Sequence, residues 1–238
     1  DDSFLFRETI AKGLAKDPVL EVIGTAIDAF DARDKILELR PDVLTLDIEM
    51  PRMNGVEFLK KLMSQYPLPV IMVSSATSMV FEALKAGAVD FVEKPDPKTG
   101  TDLDHFINKL IIKTKIASIA KIGHSKKNVL GASNFDGIPI GTNKVIIAIG
   151  ASTGGTEAIL SIVRNLPRNS PPILIVQHMP PVFTGLYAQR LNSVCTLEVR
   201  EAQNLDRVQP GRILIAPGGY HMRLKKSGGV FLVEVYAG

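Results

Sequence analysis

Apolar residues recur along this chain in short runs separated by amphipathic stretches. Runs at 19–24, 43–46, 70–73 and 89–92 read as strands. Stretches at 4–14, 30–39, 55–63, 79–85 and 103–115 carry helical spacing. Strands spaced by helices predict a parallel, doubly wound α/β sheet. Residues 118–141 mix Gly, Ser, Asn, Lys and Pro without periodicity and read as a linker. Alternation then resumes, with strands at 144–149, 173–177, 196–200, 212–216, 221–224 and 230–235 and helices at 155–164 and 183–191. A hairpin turn is expected around Ser227-Gly228-Gly229. The chain therefore divides into residues 1–117, the linker 118–141, and a second α/β domain over 142–238.

Composition narrows the class. At 238 residues, 45% hydrophobic and 22% charged, the chain is ordinary for a soluble globular protein. No apolar run approaches the ~20 residues of a membrane span, and no basic-then-apolar signal segment opens the chain. The single cysteine, Cys195, rules out an internal disulfide and fits a reducing cytoplasm. Without a Cys/His cluster no structural zinc is expected. The net charge of +3 is too small to argue for nucleic acid, and no helix-turn-helix pattern follows the linker. Residues 105–135 hold no acid but carry Lys109, Lys113, Lys115, Lys121, Lys126 and Lys127. That run reads as a solvated helix face entering the linker, or as a surface for an acidic partner.

The strand ends of the first half carry chemistry. Asp47 follows the run 43–46, Ser74 follows 70–73, Lys94 closes Phe91-Val92-Glu93, and Asp1 and Asp2 stand just before the first helix. Carboxylates converging on one crevice repel unless a cation neutralises them, and Mg²⁺ suits such an oxygen set. Lys94 and Ser74 would meet phosphoryl oxygens, with Asp47 the carboxylate that becomes an acyl phosphate. Asp1-Asp2-Ser3, the stretch Leu46-Asp47-Ile48-Glu49-Met50-Pro51-Arg52-Met53-Asn54-Gly55, Ser74-Ser75-Ala76 and Lys94-Pro95 resemble the response-regulator receiver family. That resemblance implies a flavodoxin-like sheet with Asp47 as phosphoacceptor. It implies Mg²⁺ held by Asp1, Asp2, Asp47 and the carbonyl of Glu49, and a switch formed by Ser74, Phe91 and Lys94. Receivers carry a strand before the acidic pair, so the chain is expected to lack its natural start and to show an apolar gap there.

In the second half, Val145-Ile146-Ile147-Ala148-Ile149 runs into Gly150-Ala151-Ser152-Thr153-Gly154, and a second apolar run, 173–177, ends at His178. A strand that ends in G-x-S-x-G and turns into a helix lifts a serine hydroxyl to the sheet rim. A histidine at a neighbouring strand end would supply its base. The same glycines also fit a plain tight turn or an anion cradle at a helix N-terminus. The dinucleotide fingerprint fits badly, because Ser152 stands where its second glycine belongs.

Residues 149–158, 176–184 and 215–222 are similar to the chemotaxis protein-glutamate methylesterase family (CheB), whose members pair a receiver with a C-terminal Rossmann-like esterase domain. The resemblance implies hydrolysis of glutamate γ-methyl esters on chemoreceptors, with glutamine deamidation in many members. Ser152 then maps to the nucleophile and His178 to the general base. Backbone N–H groups near Thr153 and the helix start would stabilise the oxyanion. The family's triad aspartate would lie beyond Gly238, and Asp206, in a turn context, is not assigned to it. Both ends are therefore expected to be truncated and the fragment to be inactive or nearly so. His221 reads either as a strand histidine or as a cleft residue beside the glycine pair.

The leading expectation is a cytoplasmic, phosphorylation-activated esterase whose receiver covers the Ser152–His178 cleft until Asp47 is phosphorylated. Its partners would be methyl-accepting chemoreceptors and a chemotaxis histidine kinase, with no nucleic acid, no membrane insertion and no cofactor for the ester chemistry. The competing expectation is a non-catalytic, phosphorylation-dependent receptor-binding regulator.

Overall fold

The computed structural model describes residues 1–75, 79–95, 102–119 and 145–237. The chain forms two compact units, Asp1–His124 and Ser125–Gly238. Most of the linker expected at 118–141 lies outside the described residues.

The first unit runs α1 (Phe4–Leu14), α2 (Ala29–Leu39), β1 (Leu44–Asp47), α3 (Gly55–Gln65), β2 (Val70–Ser74), α4 (Val80–Lys85), β3 (Asp90–Glu93) and α5 (Leu103–Ser118). Its strands form a parallel sheet in the order β1-β2-β3. All of β2 is buried, as an uninterrupted apolar run in a parallel sheet covered on both faces should be. Ile71, Val73 and Val92 of the sheet pack with Phe106, Ile107 and Leu110 of α5 and with Ile10 and Leu14 of α1. The helices start where their sequences carry caps: the side chains of Ser3, Asp28, Asn54 and Asp102 accept backbone N–H groups of the first turns of α1, α2, α3 and α5.

Two expectations fail in this unit. Residues 19–24 are not a paired strand. Leu20, Val22 and Gly24 instead line a cavity of about 690 Å³ that Leu44 and Leu46 of β1 also line. An extended segment becomes a strand only when its backbone pairs with a neighbour, and residues 19–24 pair with no strand among the described residues. Lys113 also departs from the solvated face expected of the lysine run, while Lys109 and Lys115 are half-buried and Lys121, Lys126 and Lys127 lie outside the described residues. Lys113 is buried in an ion pair with Asp90 at 2.7 Å, and Lys115 pairs with Asp17 at 2.6 Å.

The second unit contains β4 (Ile147–Ala151), α6 (Gly155–Val163), β5 (Ile173–Gln177), α7 (Pro181–Val194), β6 (Glu198–Glu201), β7 (Arg212–Ile215), β8 (Tyr220–Ser227) and β9 (Val230–Ala237). β4, β5, β7 and β6 form a parallel sheet in that order, and β8 and β9 form an antiparallel hairpin turning at Gly228-Gly229. Both units are thus α/β with parallel sheets, as the alternation of runs implied. Phe183, Tyr187 and Leu191 give α7 a fully buried face, and Ile159 and Val163 do the same for α6. The Tyr187 hydroxyl donates to the Thr156 carbonyl at 2.8 Å, tying α7 to α6. Burial holds that phenol well above its ordinary pKa.

Candidate functional site

The serine lies in a strand–turn–helix connection. β4 ends at Ala151, Ser152 follows with its side chain open to solvent, and Gly154 takes a left-handed φ of 75° to start α6. β5 lies beside β4 in parallel register, Ala151 opposite Gln177, so Ser152 and His178 follow at the same edge on adjacent strands. Adjacent strands sit about 4.8 Å apart. His178 is exposed, and its backbone N–H donates to the Ala151 carbonyl at 3.1 Å. A hydroxyl and an imidazole at neighbouring strand ends, beside a helix N-terminus, suit base-assisted acyl transfer.

The segment after His178 is firmly held. Met179 is buried, Pro180 precedes α7, and Pro181 opens that helix, where a missing N–H costs nothing. The buried Thr184 hydroxyl lies 2.5 Å from the Glu201 carboxylate and accepts the Gly218 N–H at 3.0 Å. Asp206 sits in a turn as expected, but its carboxylate is largely buried, paired with Arg200 at 2.5 Å and accepting the Gln203 N–H at 2.8 Å. His221 lies exposed on β8, its ring 5.5 Å from that of Tyr236.

In the first unit the acidic residues converge. Carboxylate oxygens of Asp1, Asp2 and Asp47 lie within 4.8 Å of one another. Lys94 Nζ is 2.6 Å from Asp47 and 2.9 Å from Asp1. The Glu49 N–H donates to Asp47 at 3.1 Å, and the Ser75 hydroxyl lies 2.5 Å from the Glu49 carboxylate. Gly55 is needed here, since a Cβ would stand 1.9 Å from the Asp47 carbonyl oxygen. Ser74 ends β2 and is buried, and Phe91 is buried in β3 with Lys113 Nζ 5.5 Å from its ring centre. An all-oxygen set of three convergent carboxylates fits a hard divalent cation.

The chain matches two family models, the response regulator receiver domain over residues 1–103 and the CheB methylesterase over residues 147–236. It is 54% identical over 242 residues to protein-glutamate methylesterase/protein-glutamine glutaminase 2 of Syntrophomonas wolfei, covering all of this chain and 69% of the relative. It is 51% identical over 248 residues to the protein-glutamate methylesterase/protein-glutamine glutaminase of Syntrophotalea carbinolica, again over the whole chain and 70% of the relative. The chain belongs to the CheB family. The response regulator domain of Thermotoga maritima CheB, a solved structure, is 39% identical over 51% of this chain and 94% of its own, with a TM-score of 0.48.

Within this CheB chain, the structure brings together Asp1, Asp2, Asp47 and Lys94, and sets Ser152 and His178 at one edge. Three supporting residues were not singled out by the sequence pattern. The pattern places Gln177 at the end of a strand, Thr184 near the start of a helix and Asp90 within the run 89–92, and assigns none of them a role. Their side chains matter through partners far away in the chain, which no local spacing reveals.

Proposed function

We propose that this chain is a receiver-controlled protein-glutamate methylesterase, hydrolysing glutamate γ-methyl esters on chemoreceptors with Ser152 as nucleophile and His178 as general base. The register of β4 against β5, which sets these two residues side by side in a CheB-family chain, carries the reading. His178 takes the Ser152 proton as Oγ forms a bond to the ester carbonyl carbon. Backbone N–H groups at Thr153 and the start of α6 receive the oxyanion. The imidazolium then protonates the departing methoxide, which leaves as methanol. Water, deprotonated by His178, attacks the acyl-serine carbonyl carbon, the bond to Ser152 Oγ breaks as the imidazolium returns its proton to that oxygen, and the glutamate carboxylate is released. An amide substrate follows the same steps with ammonia as leaving group.

Asp47 is the phosphoacceptor, its carboxylate oxygen bonding to phosphorus as the phosphodonor histidine of a kinase leaves. Asp1, Asp2, Asp47 and the Glu49 carbonyl would hold Mg²⁺, which when bound neutralises charge on the phosphoryl group. Lys94 pairs with a phosphoryl oxygen, and Ser74 donates its hydroxyl to another. Phe91 reports the change through its rotamer. No helix among the described residues is long and apolar enough to cross a membrane, in keeping with a cytoplasmic enzyme acting on the signalling ends of membrane receptors. The relatives' names, protein-glutamate methylesterase/protein-glutamine glutaminase, favour hydrolysis over a binding-only role.

Methanol release from methylated receptor membranes tests the chemistry. In the full-length protein, Ser152→Ala should remove release beyond the background, and His178→Gln should lower it by about 10⁴-fold or more. Undiminished release by Ser152→Ala would refute the assignment.

A further inference from the structure

We infer that Gln177 is a positioning residue for catalysis, fixing the peptide group between Ser152 and Thr153. The inference rests on Ser152 being the nucleophile. Gln177 is the last residue of β5, sits directly before His178, and is buried. Its Nε2 donates to the Ser152 carbonyl at 2.9 Å, and the Gly155 N–H donates to the same oxygen at 2.8 Å. Both acceptor positions of that carbonyl are therefore filled, which pins its direction.

A trans peptide is planar, so the Ser152 carbonyl and the Thr153 N–H point in opposite directions from one rigid group. Drawing the carbonyl inward to a buried amide turns the Thr153 N–H away from Gln177. That N–H is the donor assigned above to the oxyanion. Gln177 thus orients an electrostatic group without touching substrate, and it does so from the strand that carries His178.

The other end of the amide supports this role. Gln177 Oε1 is buried and has no hydrogen-bond partner among the described residues. It lies so close to α6 that a Cβ on Gly155 would stand 2.4 Å from it. Filling space alone would be better served by an apolar side chain, which leaves no acceptor unpaired. The feature that only the amide supplies is the Nε2–H bond to Ser152.

An oxyanion donor acts mainly in the transition state, so its misalignment should lower kcat and leave KM nearly unchanged. The test is methanol release by full-length Gln177→Met and Gln177→Glu, with Ser152→Ala in parallel and thermal melts of each. Gln177→Met should lose about 10- to 100-fold in kcat. Gln177→Glu should show a similar loss at pH 8, where a carboxylate faces the Ser152 carbonyl. Relative to wild type at each pH, it should regain activity towards pH 6, because burial favours the protonated carboxyl and its O–H restores the donor.

Wild-type kcat in Gln177→Met, alongside an inactive Ser152→Ala, would overturn this inference and leave the nucleophile assignment standing. A loss that tracks lowered thermal stability, with no pH-dependent recovery in Gln177→Glu, would also overturn it. Activity retained by Ser152→Ala would instead refute the underlying reading. Should Gln177→Met fail to fold, the pH dependence of Gln177→Glu decides alone.

Discussion

At the scale of single residues, the two sites depend on side chains that carry no chemistry themselves. Asp90 illustrates this in the receiver. Its carboxylate accepts the Phe91 N–H at 2.7 Å and pairs with buried Lys113, which also lies over the Phe91 ring. Removing one member of a buried pair leaves an uncompensated charge. Asp90→Ala should therefore destabilise the protein by about 3–5 kcal/mol in urea unfolding. A double Asp90→Ala/Lys113→Met variant should recover much of that loss, and its failure to do so would show that the pair is not the source. This pair was illegible in the sequence because Lys113 belongs to a run of lysines that spacing alone describes as solvated. The placement of Asp47, Ser152 and His178 was legible for the opposite reason: each ends an apolar run, and a strand end is a position that pattern can locate.

At the scale of elements, hydrophobic periodicity located the helices and the paired strands to within a few residues, because the burial of one face is written locally. The exception is residues 19–24, whose apolar run matches a strand but whose backbone meets a cavity instead of a neighbour. Periodicity reports what a segment could bury; only the fold decides whether a partner is present. α2 shows how an element end fixes a pH response. Asp28 caps it by accepting the Asp31 and Phe30 N–H groups and pairing with Arg52. The Asp31 N–H first, then the Phe30 N–H and Arg52, hold the Asp28 carboxyl below its ordinary pKa. A carboxyl depressed on folding stabilises the native state above its unfolded pKa, near 4, and loses that contribution as pH falls through the lower folded value. Asp28→Ala should thus cost stability at neutral pH through loss of the cap. Its stability should also fall less than the wild type's on acidification below about pH 4, as read by urea unfolding at each pH. Parallel pH profiles for the two proteins would contradict the assignment.

At the scale of the whole molecule, two α/β units place their candidate functional residues by the same device. Parallel strands put their C-terminal ends at one edge, and the loops leaving those ends carry the reactive groups. In the first unit that edge gathers Asp47, Ser74 and Lys94 beside Asp1 and Asp2, and in the second it sets Ser152 beside His178. The function of a CheB-family chain lies in coupling one edge to the other. Methanol release from methylated receptor membranes, measured in the full-length protein with and without a small acyl-phosphate donor, tests that coupling most directly. The account predicts that the donor raises release by the wild type, leaves Asp47→Asn at its basal rate, and raises nothing in Ser152→Ala. Equal stimulation of Asp47→Asn and wild type would contradict it.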